Sequence, residues 1–177
     1  MKKIALVLIA IALISASALA GDMVKSGQWG IQTSLGVAGS PVIGTNSAGV
    51  KFMASENLAV RVELGFTSFS PAGGGGSTSG YALGAGFEYH MESKGGNVSP
   101  YVGLQAGYGG GSAPGGGTTP TVFAVNGVFG GEYFFSSNFS VGGEVGLGFA
   151  SAGASGATST GIGTFGVGNW IATWYLN

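Results

Sequence analysis

His90 is the one histidine of the 177-residue chain, and Glu88 and Glu92 stand two positions to either side of it. An imidazole between carboxylates is a pairing that can move protons in a hydrolase acting on lipid or peptide. No serine is placed as an obvious nucleophile beside it, and the chain has no cysteine. A metal site is no better supported, because a lone histidine without thiolates gives a poor ligand set. Gly161-Ile162-Gly163-Thr164-Phe165-Gly166 matches the spacing of a dinucleotide-binding turn. Only eleven residues follow it, so neither the helix nor the acidic residue that such a site needs can be supplied. The glycine runs 73–76 and 115–117 lack the Lys-Ser/Thr of a phosphate loop. No catalytic, cofactor-binding or metal-binding residue is therefore expected.

A second set of charges has a clearer pattern. In Asn57-Leu58-Ala59-Val60-Arg61-Val62-Glu63-Leu64-Gly65-Phe66, large apolar residues alternate with small or charged ones. Successive strand residues point to opposite faces, so Arg61 and Glu63 share one side while Leu58, Val60, Val62, Leu64 and Phe66 share the other. Lys51, Glu88, Glu132 and Glu144 also fall on the small, polar parity of their segments. Chance would align six charges in this way about once in 2^6 trials. Centring one turn on Glu56 sets Lys51 opposite Arg61, with Glu63 diagonal to both. Centring another near Ser137 and Asn138 brings Glu132 close to Glu144. If the segments are eight strands closed in order, the second and third face the sixth and seventh. Lys51 and Arg61 can then reach across to Glu132 and Glu144, and the six are expected to form one cross-lumen ion network.

The elements that must position these charges are strands. Period-two alternation runs through Gly27–Ala38, Ala48–Ser55, Asn57–Ser68, Gly80–Met91, Val98–Gly109, Pro120–Phe135, Asn138–Ala150 and Gly161–Leu176. The 38 glycines argue against helices. Short turns at 55–57, 91–98 and 136–138 alternate with longer Gly/Ser/Thr/Ala/Pro-rich connections at 39–47, 70–79, 110–119 and 151–160. In an up-and-down meander this puts every long loop at one end. Asn57 and Asn138 each follow a short turn and each precede a glutamate by six residues, a weak internal echo.

Only 7% of the residues are charged, against about 25% in an ordinary soluble domain. Residues 1–20 carry Lys2 and Lys3, an unbroken apolar run from Ile4 to Ile14, and a small-x-small site at Ala18 and Ala20. They read as a cleaved signal peptide, followed by a short segment 21–26 and a barrel over 27–177. Its removal leaves four basic against seven acidic residues, and nothing suggests nucleic acid. No later stretch supplies about 20 apolar residues for a helical span.

Alternation alone does not say which face is inside. An eight-stranded barrel has an interior barely wide enough for its own side chains. The many Phe, Tyr, Trp and Leu side chains of the apolar parity do not fit there, whereas glycines and a few ions do. The aromatics also collect at two levels. Trp29, Phe52, Tyr89, Tyr133, Phe135 and Phe139 lie near the short turns, and Phe66, Tyr81, Tyr108, Phe123 and Phe149 near the long loops. Two aromatic girdles around an aliphatic band suit a wall that faces lipid.

On these features, together with Pro100-Tyr101-Val102-Gly103-Leu104-Gln105-Ala106-Gly107-Tyr108 and an aromatic-rich final strand, the chain resembles the small eight-stranded outer-membrane β-barrel proteins of Gram-negative bacteria, such as the OmpA membrane domain and OmpX. The resemblance implies a closed antiparallel transmembrane barrel in the outer membrane, a monomer surrounded by lipid. It also implies assembly by machinery that reads a terminal aromatic residue. Here the chain ends Trp174-Tyr175-Leu176-Asn177, so that signal would be Tyr175 or Leu176, and the parity of the last strand is ambiguous. In such a barrel His90 and its carboxylates lie at the periplasmic end, away from external substrates. The expected role is structural, with the lumen closed by the ion network. A narrow gated pore for small solutes is the alternative. Adhesion through the long loops is a third reading, weakened by their lack of charge.

Overall fold

The structure, a computed structural model, describes residues 25–36, 46–69, 76–91, 96–112, 121–154 and 157–176. The signal-peptide assignment with Ala18 and Ala20, Glu92, and most of the first three long connections lie outside the described residues. So does the segment 21–24.

Eight strands form one closed antiparallel barrel in sequence order. They are β1 Trp29–Gly36, β2 Ser47–Met53, β3 Leu58–Phe69, β4 Thr78–His90, β5 Val98–Ser112, β6 Thr121–Ser136, β7 Phe139–Ala154 and β8 Ala157–Leu176. β1 closes the cylinder by pairing with β8, from Trp29 opposite Leu176 to Gly36 opposite Asn169. Closure removes the unpaired edges that a sheet this rich in exposed apolar residues would otherwise offer. No helix occurs among the described residues.

The pleat sorts the side chains as the period-two pattern requires. Leu64, Leu83, Leu104, Leu147 and Val145 are exposed on the outer wall. Glu63, Gln105 and Asn126 are buried inside. The last strand, ambiguous in sequence, settles in the same way. Trp170, Trp174 and Leu176 face outward, while Asn169, Ile171, Thr173 and Tyr175 are buried. An irregularity between Glu144 and Gly146 sets Glu144 opposite Asn169 but Gly146 opposite Phe165. The slip amounts to two residues, an even number. Ile162 before it and Trp170 after it therefore both face outward.

One expectation about the loops is corrected. Residues 151–160 are not a long connection: β7 and β8 stay paired up to Ala154 opposite Ala157. Small uncharged residues at that tip keep the two strands paired, and Gly/Ser/Thr/Ala composition suits a strand tip as well as a loop. β5 likewise runs on through Gly110–Ser112, and β4 begins at Thr78.

The short-turn end is closed by apolar side chains. Met53, Ala59, Phe134 and Tyr175 form a fully buried cluster, in which the Phe134 and Tyr175 rings stack 5.7 Å apart. This floor lies directly below the charged layer.

Candidate functional site

β2, β3, β4, β6 and β7 each deliver one or two charges to the lumen. Lys51, Arg61, Glu63, Glu88, Glu132 and Glu144 are all at most 5% exposed. Lys51 pairs with Arg61 across the β2–β3 hairpin, the register obtained by centring the turn on Glu56. Two cations side by side would repel, and Glu88 bridges them while Glu132 holds Lys51 and Glu144 holds Arg61. Lys51 Nζ lies 2.6 Å from Glu88 and 2.5 Å from Glu132. Arg61 Nη1 donates to Glu88 at 2.8 Å, and its two terminal nitrogens hold both oxygens of Glu144 at 2.8 and 3.0 Å. The links from β2 to β6 and from β3 to β7 cross the barrel from wall to wall.

Glu88 is the hub, since it touches both cations. It also contacts His90 Nε2 at 3.1 Å, while His90 Nδ1 lies 2.8 Å from Ser99 Oγ. The proposed acid–base pair is thus absorbed into the network, with both ring nitrogens engaged. Glu88, His90 and Glu132 could converge on a metal ion by distance, but the Lys51 ammonium already sits against both carboxylates. A group that carries its own cation does not fit a metal.

Neutral side chains complete the arrangement, and the charge pattern alone did not reveal them. Tyr101 donates to Glu144 at 3.0 Å and Tyr175 to Glu132 at 2.7 Å. Ser140 donates to Glu132 at 3.2 Å, and Asn169 to Glu144 at 3.4 Å. Gln32 and Ser47 donate to Glu63 at 2.9 and 2.7 Å. Inward parity marks these residues, but only closure of the barrel brings β1, β5 and β8 onto the charges of β3, β6 and β7. Hydrogen bonds of this kind are needed to keep carboxylates charged in a dry interior.

The Asn/Glu echo has a structural counterpart. Asn57 Nδ2 donates to the His90 carbonyl at 2.9 Å, and Asn138 Nδ2 to the Tyr175 carbonyl at 3.2 Å. The backbone N–H of each Asn also faces a serine hydroxyl two residues earlier, Ser55 or Ser136, at 3.3 Å. The repeated unit is therefore Ser-x-Asn followed by Glu, and each copy staples its turn to the neighbouring strand.

Outside, the short-turn aromatics form a chain of ring contacts. Trp29 packs on Phe52 at 4.7 Å and Tyr133 on Phe135 at 4.9 Å. Phe139 joins Phe135 to Trp174 at 6.0 and 5.9 Å. Tyr89 is exposed at the same end. Toward the other rim, Tyr81 and Tyr108 lie 6.5 Å apart, and Phe66, Phe123 and Phe149 are exposed. Trp174 extends the expected belt, its outward parity set by pairing with Phe139 and Ile31.

No protein-family model matches the chain, and no curated protein matches it in sequence. Its fold does have solved counterparts. The N-terminal β-barrel domain of Pseudomonas aeruginosa OprF superposes with a TM-score of 0.50 at 11% identity, covering 85% of this chain and 98% of that one. The outer membrane protein AlkL, determined in DMPC lipid bilayers, gives 0.51 at 14% identity, covering 89% and 94%. The chain has the closed eight-stranded up-and-down fold of outer-membrane β-barrels.

Proposed function

We propose that this chain is a monomeric, non-catalytic outer-membrane barrel with a structural role in the envelope, its lumen sealed by its own ions. One observation carries the reading. Lys51 and Arg61 each tie one wall to the opposite wall through carboxylates, and every charge involved is buried. The Met53–Ala59–Phe134–Tyr175 floor lies beneath. The inverted wall, with large apolar residues exposed and polar ones inside, supports a lipid surround, as do the aromatic belts. Lipid and the barrel-assembly machinery are the partners. The machinery would read the outward Trp174 and Leu176, since Tyr175 is turned inward.

The test is planar-bilayer recording of the refolded protein. Silence in the wild type is the expected result. Reproducible unitary steps at moderate voltage would replace this reading with that of a narrow solute pore.

A further inference from the structure

The lumen holds more negative charge than its own cations can match. Four glutamates, Glu63, Glu88, Glu132 and Glu144, face Lys51 and Arg61. The shortfall is local. Lys51 lies against Glu88 and Glu132, and Arg61 spends its terminal nitrogens on Glu88 and Glu144. Glu63 is left with Arg61 Nε at 3.6 Å, beyond hydrogen-bond reach. The duplicated turn unit explains the imbalance in chemical terms. Glu63 and Glu144 occupy equivalent places in the two copies, but the position of Arg61 is Gly142 in the other, so one guanidinium serves two carboxylates.

Apart from the Arg61 guanidinium, the groups around Glu63 are two hydroxyls and one side-chain amide. Ser47 Oγ touches its carboxylate at 2.7 Å, and Ser34 Oγ touches Ser47 Oγ in turn. Gln32 Nε2 donates to Glu63 at 2.9 Å. A carboxylate only accepts, so this amide cannot be flipped. Gln32 Oε1, on the same amide group, is then buried with no donor among the described residues. Ser34, Ser47, Glu63 and Gln32 are each more than nine-tenths buried. Gly49, opposite Glu63, makes room for the group: a Cβ there would come within 2.9 Å of Glu63 Cγ.

We infer that Glu63, Gln32, Ser34 and Ser47 form a binding site for one hard monovalent cation of the sodium class, set in the lumen wall above the ion network. All-oxygen ligation is what hard cations select. A single carboxylate balances a single positive charge, and the orphaned Gln32 carbonyl gains a partner. The site is distinct from the wall-to-wall ion pairs and stands whether or not the lumen conducts.

Urea unfolding of the refolded barrel in uncharged detergent tests it, with NaCl compared against choline chloride at equal ionic strength. The expected result is a saturable rise in midpoint with sodium, lost in Gln32→Leu and in Glu63→Gln. Sodium-23 NMR line broadening by the wild-type barrel, reversed in Gln32→Leu, is the matching readout. Should Glu63→Gln fail to fold, the wild-type salt comparison and the Gln32→Leu variant still decide. Equal midpoints in sodium and choline, with no broadening, would overturn the site and mean that a proton or water meets the carboxylate instead.

Discussion

Arg61 on β3 grips both carboxylate oxygens of Glu144 on β7, at 2.8 and 3.0 Å, across the width of the barrel. A two-pronged contact of this kind fixes distance and orientation together. With Lys51 bridging Glu88 and Glu132, it makes the lumen a cross-braced core in place of a hydrophobic one.

Removing the brace should be costly. Arg61→Ala leaves Glu144 buried without a cation and Glu88 with Lys51 alone, so it should destabilise the barrel by about 3–5 kcal/mol. Urea titration in detergent micelles, followed by tryptophan fluorescence, measures this. A loss below about 1 kcal/mol would show that the network is decorative.

Orientation of the wall can be tested with a single charge. Leu83 is exposed in the middle of β4, opposite Leu64. In a lipid-facing wall Leu83→Arg should cost about 2–4 kcal/mol, whereas Phe135→Arg, at the short-turn belt, should cost about 0–1 kcal/mol. The comparison is made by unfolding from lipid vesicles. A water-facing wall would tolerate both changes equally.

Tyr175→Phe removes only the hydroxyl that donates to Glu132 at 2.7 Å while keeping the ring stacked on Phe134. Loss of a hydrogen bond to a charged acceptor predicts a destabilisation of about 1.5–3 kcal/mol. Equilibrium unfolding of the variant checks it. Insertion should be unaffected, because the outward face of β8 is untouched.

Glycines that admit close approach should not accept a methyl group. At Gly148 a Cβ would sit 2.1 Å from the Val125 carbonyl oxygen and 2.3 Å from Asn126 Oδ1. Backbone on the facing strand cannot yield as a flexible side chain can, so Gly148→Ala should cost about 1–3 kcal/mol. Gly161, with nothing within 4 Å of its Cβ position, serves as the control and should be near neutral. Heat-modifiable gel migration, comparing unheated with boiled samples, reads both variants.

Much of this protein is legible in the one-dimensional pattern. A pleated strand has period two, so the parity of Arg61 and Glu63 against Val60, Val62 and Leu64 assigns their faces without coordinates. The Lys51–Arg61 register follows from a turn centred on Glu56. Closure then places the large residues outside, because a narrow tube cannot hold them. The end of β7 and the start of β8 were harder. Gly/Ser/Thr/Ala sequence serves a loop and a polar strand tip equally well, and only pairing from Ser151 to Thr160 distinguishes them.

Strands two and three face strands six and seven across eight strands, so the sequence already turns Lys51 and Arg61 toward Glu132 and Glu144, as the structure has them. The exact pairing, and the place of Glu88 between both cations, lay beyond it. Charge parity puts six ions inside, but which carboxylate meets which cation depends on stagger around the whole cylinder. Composition carries no record of that stagger. Glu88 reads as half of an acid–base pair with His90 until closure sets it between Lys51 and Arg61. Tyr101, Tyr175 and Gln32 become ligands of glutamates two strands away for the same reason. Alternation is a local property of the backbone and is written into each strand, whereas a wall-to-wall contact joins residues as far apart as Arg61 and Glu144 and exists only once the eighth strand has met the first.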